Sequence, residues 1–376
     1  MTQRTDVFVI GGGPAGLAAA IAARNKGFSV TLADGSHPPI DKACGEGLMP
    51  DALAALRELG VEIGVAEGHV VRGVRFLGQE SEVAASFPGG NGIGMRRPLL
   101  HQKLIERAGA SGVSLLWNTP VVGICDEGVH VPGSVVSAKW IVGADGIGSR
   151  VRKWAGLQSS VRNDCRYAIR RHYRITPWSE FMEIYWGLRA QAYVTPVDRN
   201  EVCVVVISRE RGMNFESVEM QFPKLAARLK SASLTGTERG AVTMMQKLPR
   251  VYRQQIAHQP IAPVALIGDA SGSVDAITGE GLSLGFRQAI ALAKALEAGD
   301  LCQYQVAHRR LARRPTRMGR LMLLLDEHAW LRERTLRAFR SDARIFSRLV
   351  AVHVGAKSQA HLATTGALLG WHLLAA

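Results

Sequence analysis

Three glycines and one acid carry the first chemistry that the chain offers. Gly11, Gly13 and Gly16 stand in the run Gly11-Gly-Gly13-Pro-Ala-Gly16, and Asp34 follows 18 residues after the last of them. That spacing suits a pyrophosphate. Gly11 permits a tight turn, Gly13 removes a side chain where backbone must approach the phosphates, and Gly16 lets a helix pack closely on a strand. The helix N-terminus adds free N–H groups and a positive dipole end. Asp34 can accept bonds from a ribose 2′-hydroxyl. The pattern serves nicotinamide and flavin dinucleotides alike, so by itself it does not choose between them.

The surrounding residues supply the elements this chemistry needs. Asp6–Ile10 is short, apolar and rich in β-branched residues, as a buried parallel strand is. Leu17–Arg24 is Ala-rich and predicts a helix. Phe28–Ala33 predicts a second strand ending at Asp34. Two later stretches repeat the strand-into-turn pattern. Trp140-Ile-Val-Gly-Ala leads into Asp145-Gly146, and Ala265-Leu-Ile leads into Gly268-Asp269 and a long loop reaching Gly279-Glu280-Gly281-Leu282.

Together these three stretches resemble the flavoprotein monooxygenase superfamily, the group of para-hydroxybenzoate hydroxylase, over roughly residues 1–300. The resemblance implies FAD. Gly11, Gly13, Ala15 and Gly16 would surround its pyrophosphate, and Asp34 would hold the adenosine ribose. Asp145-Gly146 would support the pyrophosphate and a neighbouring turn, and Asp269 would accept a bond from the ribityl chain. Gly279, Gly281 and Leu282 would face the pyrimidine edge, where helix N–H groups can stabilise the charge of reduced flavin. Arg96-Arg97-Pro-Leu-Leu100 resembles the family's R-x-x-L-x-x-x-L helix, with Arg97 near the flavin by spacing and Arg96 as the fallback. Thr119–Val122 reads as a strand, and the Val122 backbone either meets the adenine or touches no ligand.

Lys42-Ala-Cys44-Gly45-Glu46-Gly47-Leu48 resembles a segment of geranylgeranyl-reductase-like flavoproteins that approaches flavin and substrate. Cys44 and Glu46 are therefore the candidate catalytic residues. Cys44 either lines the pocket or donates a proton, or it is a small buried cysteine in a turn. The chain departs from the prenyl reductases at Ala192-Tyr-Val-Thr-Pro196, where those carry Y-x-W-x-F-P. Gly45–Pro50 is also reminiscent of flavin halogenases, without their W-x-W-x-I-P motif.

Residues 161–260 predict an antiparallel sheet over the flavin. In it Tyr167, Ile169, Arg171, Tyr173 and Ile175 share a face, and Asp198-Arg-Asn200 turns a hairpin. Its arginines either meet an acidic substrate or lie on a solvated face. The expected fold is α/β (α+β overall): a Rossmann-like FAD-binding domain, an antiparallel β-sheet substrate domain and C-terminal helices. The FAD-binding domain is discontinuous, over 1–75, 93–160 and 261–300. The substrate domain takes 76–92 and 161–260, and a basic helical region takes 301–376.

Residues 300–376 hold thirteen Lys and Arg against five Asp and Glu, within a formal net charge of +14. Their amphipathic pieces either pack on the protein or contact an anionic membrane peripherally, and His361–Ala376 is mostly apolar. No RNP, KH or zinc-finger pattern appears, so no nucleic-acid partner is expected. The five cysteines, Cys44, Cys125, Cys165, Cys203 and Cys302, form no C-x-x-C pair. Neither a disulfide framework nor a metal site is expected, and the compartment reads as cytoplasmic. No uninterrupted apolar run of membrane-spanning length occurs.

No second glycine fingerprint follows residue 150, so NAD(P)H is expected as a transient reductant, or a partner protein as electron donor. The first expectation is a single-component monooxygenase. It would use NAD(P)H and O₂, through a flavin C4a-hydroperoxide, on a lipophilic, aromatic or polyketide-like small molecule. The alternatives are a flavin-dependent C=C reductase of the geranylgeranyl reductase type and a surface-binding flavoprotein without turnover.

Overall fold

The computed structural model describes residues 3–126, 128–158, 165–212, 214–254 and 262–358. Asp6–Ile10 belongs to a strand, Gln3–Ile10, in the middle of an eight-stranded sheet. It pairs in parallel with Val30–Ala33 on one side and Ser134–Gly143 on the other. Ser114–Leu116 and Val264–Leu266 extend the parallel array outward, and Tyr252–Arg253 closes one edge antiparallel. Val7, Phe8, Val9 and Leu32 are fully buried, as central parallel strands covered on both faces require.

The helices in chain order are α1 (Pro14–Arg24), α2 (Pro50–Glu58), α3 (Arg97–Ala110), α4 (Arg150–Trp154), α5 (Glu216–Gln221), α6 (Pro223–Leu229), α7 (Gly281–Glu297), α8 (Leu301–Glu327), α9 (Ala329–Ser341) and α10 (Ala343–His353). The alanines of α1 leave little side-chain bulk, and α1 packs against α7 through them.

A second, seven-stranded sheet runs in the order Ser233–Met244, Cys165–Arg174, Glu201–Ser208, Ala190–Asp198, Phe181–Trp186, Gly73–Leu77, Glu82–Ser86. It is antiparallel except where Phe181–Trp186 pairs parallel with Gly73–Leu77. The expected hairpin is present, with Asp198 opposite Glu201. The strand Gly73–Leu77 crosses the expected border at residue 75, so the substrate sheet begins at Gly73. A small third sheet joins Gly47–Leu48, Gly92–Gly94 and His69–Val71.

The strand Cys165–Arg174 is covered on both faces, Ile169 and Tyr173 packing into one apolar cluster, and the face opposite to them is the more deeply buried. Arg166, Ala168, Arg170 and His172 are buried, while Tyr167, Ile169 and Arg171 are half-buried. Arg166 and Arg170 are thus neither solvated nor open to an incoming acid. Arg166 pairs with Asp275 at 2.7 Å and lies 3.7 Å from Asp326 of α8. Gln191 bridges Arg166 and Asp326 by hydrogen bonds to both. Arg170 pairs with Asp41 and Glu46. A buried guanidinium needs such partners, because an unpaired charge away from water costs several kcal/mol.

The basic C-terminal region docks on the protein as far as residue 358. Met322 and Leu325 of α8, Leu336 and Phe339 of α9, and Phe346 and Leu349 of α10 share one apolar cluster with Phe76, Ile184 and Trp186 of the second sheet. Each such side chain, fully buried, contributes roughly 1.5–3 kcal/mol. His361–Ala376 lies outside the described residues. No described helix is long and apolar enough to cross a membrane.

Candidate functional site

A cavity of about 610 Å³ lies between the two sheets. Its first part is walled by the three glycine-bearing stretches. Gly11 adopts φ +114°, and a Cβ there would fall 2.5 Å from the Ala144 carbonyl oxygen. At Gly16 a Cβ would fall 1.9 Å from the Gly11 oxygen. These two glycines serve packing. Gly13 differs: it caps α1, and a Cβ there would meet nothing within 4 Å. Gly146, Gly279 and Gly281 are equally open and line the cavity, as do Ala15 and Leu282. Helix α7 begins at Gly281 with no side-chain cap, so its first free N–H groups await a partner.

The acids divide their duties. Asp34 accepts from the Gly12 N–H at 2.7 Å and the Ser36 N–H at 2.8 Å, holding the end of its strand against the glycine loop. Asp145 accepts from Ser149 Oγ and from the Arg150 and Val151 N–H groups, which caps α4. It therefore supports the neighbouring turn, and Gly146 alone reaches the cavity wall. Asp269 opens into the cavity but is enclosed on its other sides. That enclosure pushes its carboxyl above the usual range, against the pull of Arg97, Lys42 and Arg152.

Arg97, not Arg96, lines the cavity. Arg96 is held away by Glu201 at 2.8 and 2.9 Å through its Nη1; the Nε of each arginine is buried with no hydrogen-bond partner among the described residues. Val122 is 53% exposed and lies outside the cavity wall. The expected strand over Thr119–Val122 is irregular up to Val122 and starts only at Gly123, and the Val122 N–H donates to the His130 carbonyl.

Cys44 lines the cavity, half-buried, and its Sγ accepts from the Glu46 N–H at 3.4 Å. Glu46 is buried and holds φ +56°, a left-handed backbone that costs a non-glycine residue roughly 1 kcal/mol. Both its carboxylate oxygens are engaged. Oε1 accepts from the Arg97 N–H at 3.0 Å and from Arg170 Nη1 at 3.1 Å; Oε2 accepts from His172 Nε2 at 2.7 Å. Asp41 binds the same guanidinium at 2.8 and 2.9 Å. Burial disfavours the charged form of Arg170, but the Asp41 hydrogen bond and the Glu46 and Asp41 charges outweigh it and raise its pKa.

Glu46, His172 and Cys203 bring three potential metal-ligand atoms within 4.8 Å of one another, a constellation the sequence did not reveal. The cluster already holds a cation in Arg170. Burial, and then the Glu46 charge, push the Cys203 thiol well above its usual range, away from the thiolate a metal needs. Its Sγ donates to the Cys44 carbonyl at 3.6 Å.

Two histidines escaped the sequence reading. His101 Nε2 donates to the Gly12 carbonyl at 2.7 Å, and its Nδ1 accepts from the Ile40 N–H at 3.1 Å. Burial lowers its pKa, so the neutral ring that this pairing requires is favoured. His308 of α8 meets Ser271 Oγ at 2.9 Å, and that hydroxyl donates to the Gly268 carbonyl. His101 lies four residues after Arg97, one helical turn along α3, and that spacing was the signal available for it. His308 carried no such signal.

The second part of the cavity is apolar. Met49, Val74, Phe76, Met182 and Ile184 form one wall; Met318, Leu325, Phe339, Phe346 and Val350 form the other. Tyr193 lies between the two parts, its hydroxyl donating to the Ile277 carbonyl at 2.9 Å.

The family description "FAD binding domain" matches residues 4–299. The chain belongs to that family. Its open glycines, uncapped α7 and unpartnered Arg97 Nε suit the cofactor the family is named for. The family's curated relatives include menaquinone reductase from Mycobacterium tuberculosis (strain ATCC 25618 / H37Rv), 27% identical over 325 residues that span 79% of this chain and 78% of the relative. Digeranylgeranylglycerophospholipid reductase from Methanosarcina acetivorans is 27% identical over 311 residues, spanning 74% and 71%. Among solved structures, a flavoprotein/dehydrogenase from Cytophaga hutchinsonii superposes with TM-score 0.78 at 18% identity, over 93% of each chain. The 2-methyl-3-hydroxypyridine-5-carboxylic acid oxygenase superposes with TM-score 0.65 at 25% identity, over 88% of this chain and 92% of that one. The chain is an FAD-dependent oxidoreductase by family.

Two outcomes are expected of this site. Gly13→Val will abolish FAD binding in a fluorescence titration while the apoprotein melts within a few degrees of native. Gly16→Val will prevent folding, because its side chain meets backbone. A Gly13→Val protein that binds FAD normally would contradict the assignment. The second outcome concerns pH. Burial pushes His308 down from 6.5 to about 4. The unfolded chain therefore binds the proton more tightly, and stability present above pH 6.5 is lost as pH falls toward 4, on the order of 3 kcal/mol in all. Urea unfolding at several pH values will show that slope, and His308→Gln will reduce it; an unchanged slope would refute the assignment.

Proposed function

We propose that this flavoprotein saturates a carbon–carbon double bond in a long lipophilic, isoprenoid-type substrate. The observation that carries the reading is the apolar half of the cavity, which runs from the Cys44 loop between Phe76, Met182 and Ile184 of the sheet and Met318, Phe346 and Val350 of the helices. A phenol or other compact polar molecule would leave such walls unfilled, whereas a flexible hydrocarbon chain removes apolar surface from water along its whole length. The reductase names of two relatives support the same choice. The sequence pointed first to oxygenation through its three glycine signatures, its β-sheet roof and the lack of a second nucleotide fold, and the stretch at Ala192–Pro196, without the prenyl reductases' Trp and Phe, counted against isoprenoid saturation. The walls supplied by α8–α10 provide the apolar surface that this stretch does not.

FAD, when bound, supplies two-electron reduction, and in this reading NAD(P)H or an electron-donor protein recharges it. The chain's own residues do the rest. Gly13, Gly146, Gly279 and Gly281 leave room for the cofactor, and the N-terminus of α7 offers N–H groups to negative charge. Burial holds Tyr193 far above its usual pKa, so its hydroxyl keeps its proton and its bond to Ile277. Cys44 is the thiol on the cavity wall beside this end. Glu46 is committed to Arg97, Arg170 and His172 and does not serve as a proton donor in this reading. Oxygenation of an aromatic molecule is the second reading, favoured by the 25% identity to the oxygenase structure.

Anaerobic incubation of the reduced holoenzyme with a geranylgeranyl lipid tests the choice. The expected product gains two hydrogens per double bond by mass spectrometry, and Val350→Trp, which shortens the apolar end, will lose that turnover while still binding FAD. Substrate-stimulated O₂ uptake with a product one oxygen heavier, and no anaerobic product, would establish the second reading instead.

The same reading places the substrate's source in a lipid surface, reached through the basic C-terminal helices. Trp330 is 65% exposed at the start of α9 and Leu324 is 42% exposed near the end of α8, on a region rich in arginine. Sedimentation with vesicles should show binding to phosphatidylglycerol-containing bilayers that weakens with added salt and with Trp330→Ala. Equal recovery with neutral vesicles, or no recovery with either, would rule the contact out.

A further inference from the structure

We propose that Glu46 is a positioning residue whose carboxylate clamps three separate segments into one wall of the cofactor cavity. The segments are the Lys42–Gly47 loop, the first turn of α3 and the strand Cys165–Arg174. The inference goes beyond the reductase reading and does not depend on which substrate the enzyme takes.

The geometry is that of a keystone. Glu46 Oε1 accepts from the Arg97 N–H, the first amide of α3, so a carboxylate far away in sequence caps a helix that has no side-chain cap of its own. The same oxygen accepts from Arg170, and Oε2 accepts from His172, both on the substrate sheet. The Glu46 carbonyl accepts from the Met95 N–H at 2.9 Å. The loop is held on its other side by Cys203, which donates to the Cys44 carbonyl. What the clamp holds in place is the wall itself: Lys42, Cys44, Gly45 and the Arg97 side chain all line the cavity.

The backbone supports the same conclusion. Glycine would adopt φ +56° freely, and the chain places a glutamate there. A side chain kept in a backbone conformation that disfavours it, with every carboxylate oxygen engaged, indicates that the carboxylate is what the position requires. The role is one of positioning, because the three donors that the carboxylate faces, the Arg97 N–H, Arg170 and His172, belong to the elements it joins.

Glu46→Gln, Glu46→Gly and His172→Asn test the clamp, each read by FAD titration of the apoprotein and by the visible circular dichroism of the bound flavin. Glu46→Gly is the informative variant, since it removes the carboxylate with its stem and at the same time relieves the backbone. Both Glu46 variants should keep the native far-ultraviolet spectrum, bind FAD about tenfold more weakly and show altered visible bands. His172→Asn should shift both readouts in the same direction. Combined with Glu46→Gln it should add little, as expected of residues acting as one unit. If Glu46→Gln does not fold, His172→Asn carries the test alone. Native affinity and native visible bands in Glu46→Gly would overturn the proposal. Additive losses in the double variant, or stoichiometric zinc in the native protein that Glu46→Gln loses, would overturn it as well.

Discussion

The whole arrangement depends on two buried arginines, Arg166 and Arg170, on one face of one strand with Ala168 between them. Each is about 1% exposed. A guanidinium cannot lose its proton to escape the desolvation penalty, so it must find anions. Arg170 finds Asp41 and Glu46 in the cofactor-binding part of the chain; Arg166 finds Asp275 in the loop before α7 and Asp326 on α8. Those four acids come from segments that share no strand with Cys165–Arg174. The pairings therefore fix where the substrate sheet sits over the cofactor lobe, and where the C-terminal helices sit over both. Slippage of the strand by one residue would turn both arginines onto the apolar cluster of the other face and take both guanidinium groups away from these carboxylates.

That dependence explains which parts were legible beforehand. The N-terminal strand, glycine turn, helix and second strand read correctly because everything needed lies within 34 residues and obeys local rules of turn and helix. The Asp198–Asn200 hairpin read correctly for the same reason. The strand Cys165–Arg174 misled because alternation was judged by apolarity, and the more deeply buried of its two covered faces is the polar one. Nothing near Arg170 in sequence announces Asp41 and Glu46. Residues 119–122 look like a strand, with β-branched valines, yet they lie between two segments that pair elsewhere, and Val122 is largely exposed. Gly73 joined the other sheet because its partner, Phe181, lies more than a hundred residues ahead.

The candidate site divides in the same way. The glycines and Asp269 were recognisable as a set because a cofactor's shape imposes spacing on them. Arg97 rather than Arg96 lines the cavity because Glu201 holds the Arg96 guanidinium away from it. His101 and His308 bind backbone or hydroxyl groups of the glycine-bearing turns, a task for which many side chains would serve and which leaves no motif. The apolar end of the cavity was invisible because its walls come from strands near residues 74 and 184 and from helices beyond residue 317, and only tertiary packing makes them face one another.

The order of assembly on the ribosome adds a consequence. Phe76 is made early, Ile184 joins it when the second sheet closes, and Met318 to Val350 are among the last described residues to emerge. Until then the greasy half of the chamber has a floor without a ceiling, while the glycine turns beneath are already complete. A nascent chain at that point presents an exposed apolar trough, the kind of surface through which incomplete chains aggregate, until α8 through α10 arrive. The helices that shape the pocket thus also finish the molecule's protection against sticking to others, and a chain cut short near residue 300 would lose solubility along with specificity.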